Sequence, residues 1–259
     1  MLKEKQIAAQ LYNIRDHLKD PDRIPASLAR VREMGYLAVE LAGLGPWSAE
    51  EWRTALDAAG LTCCSVHIGG DTLLQEPGKA KEILDGLGCR YATYPFPAGT
   101  DFGSEEAVRK MLRSLTEAGK LLGENGYTLL YHNHDIEFMT FRGGAWLEHI
   151  FAWADPQHLQ AELDVFWVQA GGGNPESWCR RLKGRLPILH MKDFGVSGKR
   201  ERVFREIGRG NLEWEPIVKA AKKAGCRWYV VEQDRDWINS DPFEALKISF
   251  DYIKESFCR

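Results

Sequence analysis

The stretch of sequence that best indicates the fold is residues 129–138, Leu129-Leu130-Tyr131-His132-Asn133-His134-Asp135-Ile136-Glu137-Phe138. It opens with a short apolar run, which is typical of a buried parallel strand. Within two residues it changes to imidazole, amide and carboxylate side chains. This change predicts a strand that carries polar groups at its end.

Three later segments repeat this pattern of an apolar strand that ends in a polar residue. They are Leu159–Asp164, Leu186–His190 and Trp228–Glu232. A strand and a helix of ordinary length take up roughly 25 to 35 residues, so strand ends at this spacing fall side by side on one rim of a parallel sheet. We therefore expect the polar ends of these strands to form one site.

The residue types at these strand ends are those that bind metal ions. Glu137, Asp164, His190 and Glu232 follow one another at intervals of 27, 26 and 42 residues. Three carboxylates and one imidazole form an oxygen-rich group that suits a divalent cation such as Mn or Mg. The sequence therefore predicts a metal site composed of these four residues.

The rest of the chain alternates strands and helices. Four earlier strands are predicted at Ile7–Leu11, Tyr36–Leu41, Thr62–His67 and Arg90–Tyr94. Eight alternating strand–helix units are compatible with two main folds, a closed barrel and an open doubly wound sheet. The open sheet commonly has a glycine-rich turn after its first strand, and residues 12–15 contain no glycine. We therefore predict an α/β fold, a (β/α)₈ TIM barrel that forms a single domain over residues 1–259.

Composition and charge narrow the class of partner. The chain has 259 residues and a net charge of -3, so it offers no excess of positive charge to a nucleic acid. Residues 1–6 show no signal-peptide hydrophobic region, and no apolar stretch reaches the ~18 residues of a membrane span. Six cysteines without a C-x-x-C pair suit a reducing compartment. We expect a cytoplasmic protein that binds neither nucleic acid nor membrane; a homo-oligomer stays possible.

The ligand from the fifth strand is open to two interpretations. His132, at the last inward position of the strand, competes with Glu137 for this role. Glu137 is preferred because it and Glu232 would give two acid–base groups flanking a metal-bound substrate. His134 and Asp135 are then candidates to orient the site. Alternatively, His132 and His134 form a hydrogen-bonded pair in the core.

Further candidates lie at other strand ends. His67 closes the third strand, and Lys192 follows His190 by two residues, which returns its side chain to the same side. Either side chain could polarise a substrate oxygen or move a proton, although a packed histidine and a solvated lysine are equally good interpretations. Glu40, near the end of the second strand, needs a partner if it is buried.

Three residues are candidates for substrate contact, namely Glu40, Trp167 and Arg209. Trp167, three residues after Asp164, could pack against a sugar ring, although aromatic residues are more often part of the core. Arg209 lies in the connection from Lys192 to Gly210, which is longer than usual for a loop between strand and helix and is therefore interpreted as an active-site loop.

Several blocks together resemble the signature of the sugar phosphate isomerase/epimerase family. They are residues 10–16, 131–138, 162–167, 190–193 and 207–210. The resemblance implies a xylose isomerase-like barrel with a divalent metal ion, Mn, Mg or Co, held by Glu137, Asp164, His190 and Glu232. Ketose 3-epimerases of this family place a glutamate directly on the fifth strand. Here Tyr131-His132 takes that place, which is more similar to the His-x-His arrangement of inosose dehydratases.

These observations support one chemistry with several outcomes. A metal bound to a carbonyl stabilises the enediolate that forms when a base removes the adjacent C–H proton. The first hypothesis is a sugar or keto-sugar isomerase or epimerase in which Glu137 and Glu232 are the base and acid. The second is a lyase similar to inosose dehydratase, in which His132 or His134 protonates the leaving group. The third is a non-catalytic barrel that binds carbohydrate.

Overall fold

The barrel is built from short apolar runs that begin after a glycine or a polar turn. The structure is a computed structural model that describes residues 1–258. Its eight barrel strands are β1 (Ile7–Gln10), β2 (Ala38–Leu41), β3 (Thr62–His67), β4 (Tyr91–Tyr94), β5 (Thr128–His132), β6 (Gln160–Asp164), β7 (Ile188–Met191) and β8 (Trp228–Val231).

Each barrel strand pairs in parallel with its neighbours in the sequence, and β8 pairs with β1 to close the ring. The predicted (β/α)₈ barrel is therefore confirmed. In a parallel barrel all strands end on the same face, so the polar residues at the strand ends are gathered at one mouth.

Helices surround the barrel and connect its strands. The α-helices are α1 (Ile24–Glu33), α2 (Ala49–Ala59), α3 (Gly70–Gln75), α4 (Pro77–Leu87), α5 (Glu105–Glu124), α6 (Trp146–Trp153), α7 (Val165–Ala170), α8 (Pro175–Arg181), α9 (Trp214–Ala224) and α10 (Pro242–Phe257). Short 3₁₀ helices cover Glu4–Gln6, Leu11–His17, Pro21–Arg23, Ile136–Phe138 and Ile238–Ser240. No helix within residues 1–258 combines the length and apolar character needed to cross a bilayer.

Local signals in the sequence set the helix boundaries. Before α2, the Ser48 hydroxyl accepts a hydrogen bond from the Glu51 backbone N–H, and the Glu51 carboxylate accepts one from the Ser48 N–H. This reciprocal pair satisfies two of the free N–H groups at the start of the helix. Gly60 ends α2 with φ of 69°, a left-handed conformation that glycine adopts without steric cost.

The structure differs from the predicted elements at the end of the first strand and in the 192–210 connection, and it shows two further details of the helices. The first strand ends at Gln10, since Leu11 begins a 3₁₀ helix. The segment between β3 and β4 forms two helices, α3 and α4, because Pro77 starts a new helix. Helix α7 follows Asp164 directly. The connection from Lys192 to Gly210 contains two antiparallel strands, Asp193–Val196 and Arg202–Arg205.

The barrel interior changes character along its axis. Its lower part is filled by a small apolar cluster composed of Ala8, Ala38, Cys64, Tyr91, Leu130, Ile188 and Val230. A larger apolar cluster lies between the strands and the helices. Two residues further along most of these strands, the inward positions become polar, as in the steps from Leu130 to His132 and from Ile188 to His190. The apolar lower part of the barrel interior therefore supports a layer of polar side chains near the mouth.

Candidate functional site

Polar residues at the barrel mouth come in pairs separated by two positions. Such pairs occur at the ends of β6 (Glu162 and Asp164), β7 (His190 and Lys192) and β8 (Glu232 and Asp234). Alternate residues of a strand point to the same side, so both members of a pair face the interior. Strand pairing aligns Asp164 with His190, and His132 of β5 with Glu162.

Four of these side chains form a group that could hold a metal ion, which we call the metal group: His132, Asp164, His190 and Glu232. One ligand atom from each lies within 4.8 Å of the others, and all four residues are buried. Glu232 Oε2 is 3.1 Å from His190 Nδ1, and Asp164 Oδ2 is 3.8 Å from His132 Nε2. The predicted residues Asp164, His190 and Glu232 are thus brought together at one point.

The chemistry of the metal group fits a divalent cation. Asp164 Oδ2 is buried and accepts no hydrogen bond within residues 1–258, although the Lys192 ammonium lies 3.1 Å from it. A buried carboxylate oxygen without a hydrogen bond is costly unless a cation compensates for it. Two imidazole nitrogens and two carboxylate oxygens are a usual donor set for a first-row transition metal ion.

Glu137 does not join this group. It is buried, its Oε1 accepts a hydrogen bond from the Tyr131 hydroxyl, and its Oε2 accepts one from the His134 backbone N–H, both at 2.8 Å. Burial raises the pKa of Glu137 to about 7, although these hydrogen bonds oppose the shift. The structure therefore places His132, the alternative from the fifth strand, where the sequence analysis prefers Glu137.

Glu232, the second glutamate of the predicted acid–base pair, therefore does not have Glu137 beside it in the pocket. The two carboxylates that line the pocket beside the metal group are Glu232 and Asp234, and both follow β8. Asp135, predicted to orient the site, instead accepts a hydrogen bond from Arg202 at 3.2 Å. This hydrogen bond connects the antiparallel strand pair of the 192–210 connection to the segment that follows β5.

Lys192 is a buried cation at the centre of the carboxylates. Its Nζ lies 2.8 Å from Glu232 Oε2, 3.1 Å from Asp164 Oδ2 and 3.2 Å from Asp234 Oδ1. Burial alone would lower the pKa of Lys192, but the charges of Asp164 and Glu232 raise it well above its ordinary value. Lys192 therefore stays an ammonium group that neutralises carboxylates and is unsuited to act as a base.

A second group lies on the other side of the same imidazoles and comprises His67, His132, Glu162 and His190. Glu162 is fully buried, and its Oε1 is 2.8 Å from His67 Nε2, 2.9 Å from His132 Nδ1 and 3.1 Å from His190 Nε2. Its Oε2 accepts a hydrogen bond from the Thr93 hydroxyl at 2.8 Å. Glu162 therefore links the imidazoles of three strands.

Glu40 completes this second carboxylate layer. Its Oε2 lies 2.6 Å from His190 Nε2 and accepts a hydrogen bond from Gln10 Nε2 at 2.7 Å. Burial lowers the pKa of His67, but the charges of Glu40 and Glu162 outweigh it and raise that pKa to about 10. His67 is thus an imidazolium that balances the two buried carboxylates, and the partner that a buried Glu40 requires is present.

A pocket of about 450 Å³ opens above these groups. It is lined by Tyr12, Arg15, Ala42, His67, Pro95, Phe96, His132, His134, Lys192, Glu232, Asp234 and Arg235. The rings of Tyr12 and Phe96 are exposed at this pocket, 41% and 50% respectively, so they are free to pack against a ligand. Burial and the charge of Glu232 raise the pKa of Asp234 to about 6.

His134 lies at the edge of the same pocket. Its ring packs 5.0 Å from Phe96, 5.0 Å from His132 and 5.3 Å from Trp167, measured between ring centroids. Burial, with the charges of His132 and Lys192, lowers the pKa of His134 to about 2. The ring is therefore neutral, and its buried Nδ1 has no partner within residues 1–258. His132 pairs with Glu162 and not with His134, so the two histidines do not form the hydrogen-bonded pair considered above.

The three residues predicted to contact substrate are placed differently. Glu40 is buried below the pocket, and Trp167 stands behind His134, with its indole against that ring. Arg209 is exposed on the 192–210 connection. None of the three lines the pocket. Their substrate contacts stay predictions.

Four residues of the site were not predicted from the sequence: Glu162, Asp234, Thr93 and Gln10. The signal for the first two was available, since Glu162 stands two residues before Asp164 and Asp234 two residues after Glu232, the same spacing that singled out Lys192 after His190. Thr93 and Gln10 carried no such signal, because a neutral polar residue inside a strand is equally compatible with many structural roles.

The fold and the metal group define a family of barrels with polar residues at the carboxyl ends of their strands. The family model for the xylose isomerase-like TIM barrel matches residues 28–256. The chain therefore belongs to the xylose isomerase-like TIM barrel family.

The individual relatives share only a low sequence identity with this chain. An inosose dehydratase of Geobacillus kaustophilus is 23% identical over 87% of this chain and 85% of its own length. An inosose dehydratase of Clostridium beijerinckii is also 23% identical, and the match spans 62% of this chain and 58% of that protein. The solved structure of a sugar phosphate isomerase/epimerase from Parabacteroides distasonis has a TM-score of 0.81 at 23% identity and covers 99% of this chain and 96% of its own. At this identity the structural similarity establishes the fold.

Proposed function

We propose that this chain is a divalent-metal-dependent enzyme that removes the proton next to the carbonyl of a keto-sugar or keto-inositol and then eliminates a β-hydroxyl group as water. The observation that carries the proposal is the metal group, four buried ligand atoms within 4.8 Å of one another beneath a pocket of about 450 Å³.

His132, Asp164, His190 and Glu232 would hold the ion, which when bound supplies a Lewis acid to a substrate carbonyl. The two imidazoles favour Mn, Co, Fe or Zn over Mg, which prefers oxygen ligands alone. The predicted set of three carboxylates and one imidazole would also suit Mg, so the observed pair of imidazoles narrows the choice of metal. Lys192 contributes a fixed positive charge beside Asp164 and Glu232, and it limits the repulsion between the carboxylates.

Asp234 is the residue best placed to accept the substrate proton. It lines the pocket, lies two residues beyond Glu232, and its Oδ1 is 3.2 Å from Lys192 Nζ. Glu232, by contrast, already contacts His190 and Lys192 and has a pKa held well below its ordinary value; burial opposes this shift, but the charge of Lys192 dominates it. A carboxylate held in this way is a good ligand and a poor base.

The position of the carboxylates favours elimination over epimerisation. An epimerase needs proton-carrying groups on both faces of the reacting carbon. Both carboxylates that line this pocket follow β8, whereas the β3 and β5 side presents the imidazoles of His67, His132 and His134. An imidazolium such as that of His67 is suited to protonate a departing hydroxyl group, and a single base is sufficient for the other half of the reaction.

Isomerisation or epimerisation of a keto-sugar is the second candidate. It shares the first proton transfer, and the structural similarity to a sugar phosphate isomerase/epimerase favours it. Epimerisation requires His67 or His134 to return the proton from the side opposite Asp234, whereas isomerisation requires its return to the neighbouring carbon.

A panel of keto-sugars and keto-inositols in D₂O, with Mn²⁺ present, tests the proposal. We expect a new ultraviolet absorbance from an unsaturated carbonyl product, with release of water. Deuterium incorporated into an isomeric sugar without this absorbance would favour the second candidate. Absence of both signals with every substrate would support a barrel that only binds carbohydrate.

A further inference from the structure

We propose that Glu162 is a positioning residue that fixes the His132 imidazole of the metal group, and that it thereby determines the affinity of the site for its metal ion. This inference rests on the proposed metal-dependent function and deepens it. Glu162 contacts the imidazoles from the side opposite Asp164 and Glu232. It can therefore hold a ring in place while the other nitrogen of that ring binds the metal ion.

The geometry at His132 shows how the orientation is set. Its Nδ1 lies 2.9 Å from Glu162 Oε1, and its Nε2 faces Asp164 Oδ2 at 3.8 Å. An ionised carboxylate only accepts hydrogen bonds, so Nδ1 must carry the proton. Nε2 is then left with a free lone pair that points toward the metal group.

His190 is arranged in the same sense with its nitrogens exchanged. Its Nε2 lies 3.1 Å from Glu162 Oε1, whereas its Nδ1 faces Glu232 at 3.1 Å and Asp164 at 4.0 Å. Glu40 adds a second acceptor to Nε2 at 2.6 Å. Glu162 is therefore the hydrogen-bond partner of His132, and Glu40 is that of His190 Nε2; in each ring the other nitrogen faces the metal group.

Glu162 itself is held firmly. It is 0% exposed, the Thr93 hydroxyl donates to its second oxygen, and the hydroxyls of Thr93 and Ser65 lie 3.0 Å apart. The carboxylate does not line the pocket, so it is not available to a substrate. A buried acceptor with this support holds its partners in one orientation, and carboxylates of this kind typically change metal affinity by about 10- to 100-fold.

The same atoms could be arranged around a second metal ion, since one ligand atom from each of His67, His132, Glu162 and His190 also lies within 4.8 Å of the others. The observed distances favour hydrogen bonds. Glu162 Oε1 forms hydrogen bonds with His67 Nε2 at 2.8 Å and with His132 Nδ1 at 2.9 Å, within the ordinary range of an N–H···O contact. The two arrangements predict different stoichiometries, one ion per chain for the positioning role and two for a second site.

Calorimetric titration of the chelator-treated protein with Mn²⁺ distinguishes these outcomes. We expect one ion per wild-type chain and an approximately 10- to 100-fold weaker Kd for Glu162→Gln, which keeps the shape of the residue but removes its charge. Glu206→Gln is the matched control, because Glu206 is also a buried glutamate, hydrogen-bonded to the Ile238 N–H. Its Kd should stay within about twofold of the wild-type value, since Glu206 is outside the metal group.

Co²⁺ gives a readout that a general loss of stability would not produce. Its visible absorption reports ligand geometry, and we expect the bands of the Co²⁺-loaded protein to shift in Glu162→Gln and to stay unchanged in Glu206→Gln. If Glu162→Gln does not fold, Thr93→Val carries the test, because it removes the hydrogen bond to Glu162 and leaves every imidazole in place. It should weaken Mn²⁺ binding about two- to tenfold.

Three results would overturn the inference. A wild-type chain that binds two ions, one of which is lost in Glu162→Gln, would make Glu162 a ligand. A Kd for Glu162→Gln, or for Thr93→Val if that variant replaces it, equal to the wild-type value would show that the carboxylate has no positioning role. Failure of the wild-type chain to bind any ion would refute the proposed function itself. It differs from the first two results, in which the wild-type chain binds an ion and only the positioning role of Glu162 is rejected.

Discussion

Two pairs of buried carboxylates lie on opposite sides of the same two imidazoles, and they differ in what surrounds them. Asp164 and Glu232 contact the Lys192 ammonium and lie next to the pocket. Glu40 and Glu162 contact the imidazolium of His67, and neither reaches the pocket. The first pair is arranged to accept a ligand, and the second holds the ring orientations.

The comparison shows why so much charge is tolerated inside a barrel. Taking an ion out of water costs several kcal/mol, and a buried carboxylate persists only with a cation and hydrogen bonds around it. The first pair has the buried cation Lys192 and the second has the partly exposed His67, and Gln10 and Thr93 donate hydrogen bonds to the second pair. The charges of the two pairs are therefore balanced by different cations, and the two shared imidazoles are the contacts through which one pair acts on the other.

The largest expected effect follows from breaking the pocket-side pair. Asp164→Asn removes one of the charged ligands of the metal group, and we expect kcat/KM to fall by about 10³-fold or more, since a metal acting as a Lewis acid contributes several kcal/mol. The metal content of the purified variant should fall in parallel. Wild-type turnover in Asp164→Asn with no bound metal would show that this pair has no part in the chemistry.

A smaller effect is expected from Asp234, which belongs to the pocket but not to the metal group. Asp234→Asn removes the proposed base, so kcat should fall by about 10²- to 10⁴-fold, the usual contribution of a positioned acid–base group. Metal affinity should change little. Equal losses of metal and activity would instead indicate that Asp234 acts through Lys192 on the ligands.

The smallest effect concerns Glu137, which lies outside both pairs. Burial raises its pKa from 4.5 to about 7, so the folded chain binds this proton more tightly than the unfolded chain does. Its contribution to stability is complete below about pH 4.5 and is lost as the pH rises to about 7. The free energy of unfolding of the wild type should therefore fall relative to that of Glu137→Gln by about 1–3 kcal/mol between pH 5 and 7.5.

Denaturant unfolding at several pH values measures this difference. Parallel pH profiles for the two proteins would mean that the carboxyl group of Glu137 is not desolvated as the structure indicates. Metal content should be the same in both, because no atom of Glu137 belongs to the metal group.

The barrel and most of its polar mouth could be predicted from the sequence, because both depend on periodicity. Asp164, His190 and Glu232 were found since each ends an apolar strand, and a closed parallel barrel gathers such ends on one face. The alternation that identified Lys192 would also have identified Glu162 and Asp234 if it had been applied to every strand.

The position of Glu137 could not be predicted in this way. It comes five residues after the end of β5, within the 3₁₀ helix Ile136–Phe138, where the alternation of a strand no longer applies. The Tyr131 hydroxyl and the His134 N–H then capture its two oxygens. Contacts of this kind depend on the path of the turn, and only the three-dimensional structure shows that His132 is the residue beside Asp164.

The identity of the ligand from the fifth strand is therefore the most direct test of this site. Electron spin echo spectroscopy of the Mn²⁺-loaded protein detects directly coordinated nitrogen. We predict modulation from two imidazole nitrogens in the wild type and from one in His132→Gln. A single coordinated nitrogen in the wild type, unchanged in His132→Gln, would contradict the metal group and return Glu137 to it.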